Sequence, residues 1–413
     1  MKNTFFIIIF LIIFLSVPAY SQEEAVDAEG VITSIEIIGL NRTKLHVVMY
    51  PLERFIGVES SAFDENEVFA IIKNMNVLEP ISVDLVQSDD GLLLQIVVQE
   101  KWSIFPFPLV FASSGDFILG LFFYDANAFG LRDTAVIGGS FSENGWTIIT
   151  MYSHTPKQTG VPGWNAVVMY NRNERENVDR NETALRKYEA DRLRISFGIN
   201  YLFSDSVSCL FNVNFTDITL RDNDSSFNSP EQGAMLFGFN PRFLLQQSSW
   251  DGYFLSTKSF SIDYTYNLAI SGTSFHQVDY RGIYEQSLIP GFRFNVKSGG
   301  VWKSTEEPLF EEGPQKAQVN FFPRNYSALY YIGLSAGLEQ YLYRNNWGTL
   351  SVQGSYQGAF SYRPTCGIEF DHGLSAGIIF YLSRIALPAV SLGVAYNMVS
   401  DFFQFSFSIG MAF

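Results

Sequence analysis

Two pentapeptides match the G-x-S-x-G pattern of a nucleophilic serine: Gly333-Leu334-Ser335-Ala336-Gly337 and Gly373-Leu374-Ser375-Ala376-Gly377, the second adjoined by His372. In a hydrolase that pattern occupies a sharp strand-to-helix turn, which lifts the hydroxyl toward a base. Here both copies sit inside alternating stretches, with Leu and Ala on one parity and Gly and Ser on the other. That setting makes them small residues on one face of two strands, and no enzyme is expected. Glu339 shares the parity of the first set, and Glu369 and Asp371 share that of the second. Four scattered histidines (His46, His154, His276, His372) and two cysteines (Cys209, Cys366) give neither metal nor disulfide spacing, so no metal or cofactor is implied.

The elements that position these residues are strands. The chain ends Phe403-Gln404-Phe405-Ser406-Phe407-Ser408-Ile409-Gly410-Met411-Ala412-Phe413, a two-residue alternation with an apolar face and a polar or small one. Leu193, Ile195, Phe197, Ile199, Tyr201 and Phe203 form such a face, and Val207, Cys209, Phe211, Val213 and Phe215 form the next. From Phe105 onward no helix is expected, and counting alternating segments gives 16 strands, the first near 105–113 and the last at 402–413. Long polar loops fall at roughly 174–189, 221–232 and 304–328, while the turns at the other rim are mostly short, as at Ser204-Asp205 and Pro290-Gly291. An even strand number, short turns at one rim and long loops at the other describe an outer-membrane barrel, whose side chains alternate between lipid and lumen. A soluble β-sandwich is the rival reading, opposed by strand length and by an aromatic content of 16%.

Before the barrel, Lys2, the apolar run Phe5 to Leu15 and Ala19-Tyr20-Ser21 read as a signal peptide over 1–21, followed by an acidic linker over 22–29. Residues 30–102 read as strand, helix, helix, strand, strand. Leu45, Val48, Leu52 and Phe55 have helical spacing, with Thr43 as N-cap and Pro51 as a kink; Asp64 and Glu67 suit a capping box before the second helix. Strands at Ile81 to Val86 and Leu92 to Val98 flank the turn Ser88-Asp89-Asp90-Gly91. The predicted fold is therefore an all-β transmembrane barrel of 16 antiparallel strands over 103–413, preceded by one small α+β domain. A net charge of −15 without a basic stripe excludes nucleic acid as a partner.

Read in order, VITSIEIIGLNRTK, FDENEVFAIIKNMNVLEPISVDLV and LLLQIVVQEKW resemble a POTRA domain. EKWSIFPFP with GLFFYDANAFGLRD, and PLFEEGPQKAQVNFFPRNYSALYYIGLSAGLEQYL, resemble the barrel start and the sixth outer loop of the POTRA-plus-barrel outer-membrane assembly factors, the BamA/TamA-like superfamily that includes the bacterial surface antigens. SRIALPAVSLGVAYN and FSFSIGMAF also fit. The superfamily's sixth loop carries Arg-Gly-Tyr/Phe and folds into the barrel; here Arg324 and Tyr326 match, while Asn325 replaces the glycine. The resemblance implies a periplasmic POTRA domain and an outer-membrane location. It also implies an assembly or translocation function acting on unfolded barrel or secreted polypeptides, or on lipids, with periplasmic accessory proteins as further partners. The alternative is a passive pore with an open lumen.

The same resemblance assigns sites. Arg324 is expected to enter the lumen, where Glu339, Glu369 and Asp371 either receive it or stand solvated. The POTRA strand from Ile81 to Val86 is expected at a sheet edge, which either accepts an extended client or is simply packed. The seam should lie between the first strand, carrying Pro106 and Pro108, and the last, carrying Phe407, Ile409, Gly410, Met411 and Phe413. The prolines should each remove a ladder bond or shift its register, and Gly410 should permit a kink, leaving a weakly paired seam that still closes at rest.

Overall fold

A computed structural model of the protein describes residues 30–410, apart from 114–115, 157–158, 224–225, 228, 251–254, 324, 346 and 383–388. The expected signal peptide and linker, Arg324, Met411 and Phe413 lie outside the described residues.

The small domain runs β1 (Ile32–Ile38), α1 (Leu45–Met49), a 3-10 turn at Tyr50–Phe55, α2 (Glu65–Asn74), β2 (Leu78–Ser88) and β3 (Gly91–Glu100). Its sheet has the order β1-β3-β2, with β1 and β3 parallel and β2 antiparallel to β3. Apolar residues spaced along both helices meet one face of that sheet, so Val48, Leu52, Phe55, Val68 and Ile72 bury against Ile32, Leu78, Leu92, Leu94 and Ile96. Asp64 caps α2 by accepting from the Asn66 backbone N–H at 2.9 Å, whereas Glu67 pairs with Arg54 instead of closing a capping box. Thr43 is not a cap: its side chain is buried and accepts from Asn127. At Pro51 the helix tightens into 3-10 geometry and does not kink. β2, which holds Ile81 and Val86, is an edge strand.

The remaining strands form one 16-stranded antiparallel sheet in strict sequence order. They are β4 (Ile104–Ser113), β5 (Asp116–Ala128), β6 (Asp133–Ser142), β7 (Gly145–His154), β8 (Gly163–Val178), β9 (Ala184–Ser204), β10 (Val207–Asn223) and β11 (Ala234–Trp250). β12 (Leu255–Ser271), β13 (Phe275–Ile289), β14 (Phe292–Lys303), β15 (Tyr330–Asn345), β16 (Gly348–Arg363), β17 (Gly367–Leu382), β18 (Ala389–Asn397) and β19 (Phe402–Gly410) complete it. No described helix is long and apolar enough to cross a membrane. The alternation places Phe197, Ile199, Phe243, Leu334 and Leu374 on an exposed outer face, and asparagines, serines and charges on the inner one. Aromatics collar both ends of the outer band. Trp302, Tyr330 and Tyr362 stack at the rim far from the small domain, and Tyr152, Trp164 and Phe197 follow one another from the near rim. β8 and β9 extend further than expected, so the third long loop shrinks to 179–183; the fourth and sixth remain long.

The small domain is tied to the first hairpins of the large sheet. Arg42 reaches Asp125 at 2.9 Å and the Ser103 hydroxyl at 2.8 Å, Asn127 donates to Thr43 at 2.9 Å, and the Lys44 N–H donates to the Gly130 carbonyl at 2.8 Å. Gly130 has φ +75°, and a Cβ there would meet the Arg42 carbonyl at 2.0 Å, so only glycine admits this approach. Glu100 holds the segment from behind, accepting from the backbone N–H groups of Arg42 at 2.9 Å and Thr43 at 2.6 Å. Burial pushes the Glu100 carboxyl up, but those N–H groups outweigh it, and the group titrates below the usual carboxylate value. A depressed folded value contributes stability above the unfolded value, which is lost as pH falls through the folded one. The seat of the small domain should thus loosen on acidification through and below the carboxylate range and stay firm on alkalinisation. Energy transfer between dyes on α2 and on the β5–β6 turn reads this, and Glu100→Gln should flatten the acid response.

Candidate functional site

The sixth loop, 304–329, fills the inside of the sheet. On β14 and β15 the inward positions Gly299 and Gly333 are bare, and a Cβ there would meet the carbonyl oxygens of Lys316 at 1.9 Å and Ala317 at 2.3 Å. The 3-10 turn Pro314–Ala317 lies directly on that backbone. Phe321, Phe322 and Tyr326 bury with Val301, Tyr331 and Ala359 of the same wall. The loop also reaches β8 and β9: Val178 N–H donates to Asn325 O at 3.1 Å, and Arg186 binds Glu311 at 2.6 Å, both side chains being almost fully buried. Glu312 binds Lys303 at 2.8 Å and Lys316 at 3.3 Å, and Lys316 reaches Asp279 at 3.1 Å. A polar cavity of about 440 Å³ remains beside the loop, lined by Asn144, Asn173, Arg175, Asn177, Glu311 and Tyr326 among others.

The loop motif sits at the centre of this packing. Tyr326 stacks on Phe322 at 4.2 Å, its hydroxyl lies 2.5 Å from Ser361 Oγ, and the Arg363 guanidinium lies 5.1 Å over its ring. Burial pushes the Tyr326 hydroxyl up to about 12, so it stays a neutral donor and acceptor. Glu369, expected to receive a lumen guanidinium, binds Arg363 and lies 3.5 Å from Arg180. Asp371 is fully buried; one oxygen accepts from Asn397 at 3.3 Å and the other has no hydrogen-bond partner among the described residues. Glu339 is taken by Arg293, which stands directly opposite it in the β14–β15 ladder, at 2.7 Å.

That last pair belongs to a cluster that the sequence reading passed over. Arg293 also lies 3.2 Å from Glu285 and donates to the Tyr381 hydroxyl at 2.6 Å; that hydroxyl donates to Glu339 at 2.8 Å, and Ser351 adds a further bond to Glu339. Five consecutive strands, β13 to β17, thus converge on one buried guanidinium. The signal was present: Arg293, Glu339, Ser351 and Tyr381 all carry inward parity, and the short turns at the small-domain rim set them at similar height.

The G-x-S-x-G segments are mid-strand, as expected. Ser335 and Ser375 face inward, Ser375 bonding Ser355 at 2.7 Å, while His372 faces outward and bonds the Tyr356 hydroxyl at 3.0 Å. Serine and histidine lie on opposite faces of β17, so they form no dyad.

At the seam, β4 and β19 share no ladder among the described residues, so the expected residual closure is not seen there. The prolines also act differently from expectation. The β4–β5 register is unbroken from Ile104↔Asp125 to Ser113↔Asp116. Ala126 N–H donates to Ser103 O at 2.9 Å, which sets the alternation: odd residues of β4 bond β5, and even ones turn their backbone outward. Pro106 and Pro108 therefore cost the β5 ladder nothing and delete two donors from the free edge. The β18–β19 ladder also runs unbroken to Ala389↔Gly410, so Gly410 introduces no register shift. The Met398 N–H to His372 O bond sets the alternation at this end, and the backbones of Phe403, Phe405, Phe407 and Ile409 face the gap.

No family model and no curated protein matches the chain. Solved structures do. BamA from Haemophilus ducreyi lacking POTRA domains 1–3 is 12% identical with a TM-score of 0.55, over 91% of this chain and 83% of that one. CdiB from Acinetobacter baumannii is 13% identical with a TM-score of 0.60, over 93% and 74%; CdiB from Escherichia coli is 10% identical with a TM-score of 0.53, over 97% and 93%. The chain shares the fold of these proteins, in agreement with the resemblance seen in its sequence.

The glycine wall gives a direct test of the folded-in loop. Gly299→Val should displace 316–318, while Gly354→Ala, whose Cβ would make an ordinary contact with the Ser375 carbonyl oxygen at 3.9 Å, should not. Protease cleavage within 314–320 of the reconstituted protein reads the difference; equal resistance of both variants would contradict a loop seated on bare backbone.

Proposed function

We propose that this protein is an outer-membrane assembly or translocation factor that inserts or transports client polypeptides at the outer membrane, with lipid as the alternative cargo. In this reading residues 1–21 are a signal peptide, 22–29 a linker, 30–102 a periplasmic POTRA domain and 103–413 the barrel. The observation that carries it is the combination of a lumen filled by its own loop with two sheet edges that have no partner among the described residues. A passive pore needs the reverse, an open lumen and a sealed wall. Clients would enter by strand addition, at the exposed edge β2 between Ile81 and Val86 and then at the seam. The seam is unequal: β19 offers a full edge through Phe407 and Ile409, and β4 offers carbonyls but lacks donors at Pro106 and Pro108. In lipid such edges are costly until a strand or the opposite edge covers them.

Arg324 completes the reading of the loop. Of the three carboxylates, Asp371 is the one with a buried oxygen that lacks a partner among the described residues, and it lies two positions from Glu369, which binds Arg363 of β16. Arg324 would supply its missing donor. Breaking one partner of a buried pair costs about 3–5 kcal/mol, whereas an exposed pair contributes about 0–1 kcal/mol. Arg324→Ala should therefore lower the unfolding midpoint and impair activity far more than Arg221→Ala, which removes an exposed guanidinium from an Asp191 that Arg172 still holds. Equal tolerance would remove Arg324 from the lumen.

The function itself is tested at the seam. Cysteine pairs across 105–110 and 403–408, in a background lacking Cys209 and Cys366, should on oxidation block assembly of client proteins, with recovery on reduction. Full activity of efficiently crosslinked protein would rule out a seam that opens to act.

A further inference from the structure

The turn between β5 and β6 contains a backbone outlier. Phe129 has φ +57°, a left-handed conformation that is strained for a bulky side chain, and the residue is 73% exposed. Most of the surface of Phe129 is thus left to surroundings outside the chain. Phe129 is not isolated: its ring lies 5.9 Å from Tyr152, which lies 4.9 Å from Trp164, itself 6.3 Å from Phe197 on the outer band. It ends this row of aromatics at the small-domain rim.

The small domain adds to the same patch. The bond from the Lys44 N–H to the Gly130 carbonyl sets Leu45 beside the turn, and Leu45 is 55% exposed at the start of α1 between the exposed side chains of Lys44 and His46. Arg42 fastens the domain through Asp125, which pairs in the ladder with the outward-facing Ile104. The domain is thus held beneath the outer face of the first hairpins.

We propose that the small domain docks on the phospholipid leaflet surrounding the near rim, with Leu45 and Phe129 entering the acyl boundary and Lys44 meeting headgroup phosphates. The occupant follows from continuity: the patch prolongs the band that already faces lipid, and apolar side chains flanked by a cation suit the headgroup boundary. This rests on the outer band lying in a membrane, and the test separates the two. In a Cys209→Ser/Cys366→Ser background, single spin labels are placed by Leu45→Cys, Phe129→Cys, Ile81→Cys on the far edge of the small domain, and Ile199→Cys on the outer band. Each full chain is reconstituted into phosphatidylethanolamine–phosphatidylglycerol vesicles, and accessibility to oxygen is compared with that to a water-soluble nickel chelate. The expected result is lipid-like ratios at 199, 129 and 45 and a water-like ratio at 81. A lipid-like 199 with a water-like 45 overturns the docking alone, and a water-like 199 overturns the membrane reading itself. Should the strained turn reject Phe129→Cys, Leu45→Cys decides by itself, and Leu45→Glu should make a label at Lys44→Cys markedly more accessible to the chelate.

Discussion

In hydrocarbon an unpaired backbone N–H or C=O costs several kcal/mol, and nothing in the solvent can pay it back. With the outer band in lipid, as proposed, most of this chain follows from that constraint. Sixteen strands pair in sequence order without a crossover, so fifteen of the sixteen junctions that a closed ring would need are satisfied by neighbours in the chain. The remaining junction is where the sequence departs from a good strand: two prolines occupy the free edge of β4 at positions where they weaken nothing else. Placing the defect on the other parity would have damaged the first hairpin and left the edge intact.

The lumen answers a second requirement, that charges brought inside be matched. Near the small-domain rim Arg293 of β14 gathers Glu285, Glu339 and Tyr381 from three other strands, tying them into one plate. Toward the other rim the loop brings its own acids to the wall cations, Glu311 to Arg186 and Glu312 to Lys303. One network stiffens the wall, and the other attaches the loop to it. Removing a member of either leaves a charge behind, which is why such pairs resist dissection one residue at a time.

Much of this was legible in the sequence because a strand's period is two. Parity alone separates Leu334 and Leu374 from Ser335 and Ser375, and so disposes of the apparent nucleophile motifs. It also marks Glu339, Glu369 and Asp371 as inward. Parity says nothing of which charge meets which, because that depends on register between strands distant in sequence; the partner of Glu339 is set by the β14–β15 offset. It is equally silent on whether a residue bonds the strand before or after it, so the side of β4 on which its prolines act appears only in the hydrogen-bond alternation. Length misled at the third loop, since polar residues of β8 and β9 that rise clear of the apolar band look like loop until they are seen paired.

The bond from Arg186 to Glu311 spans 125 residues of chain. Until β14 and the loop that follows it have arrived, the inner face of β8–β9 holds a guanidinium with no counterion, in a place that will become dry. A barrel growing strand by strand from its amino-terminal end would carry that uncompensated charge through five more strands, β10 to β14. The contact order of this one pair therefore argues for a late, concerted closing of the sheet around a loop already in place, with the amino-terminal half held in a hydrated, partly curled state until then.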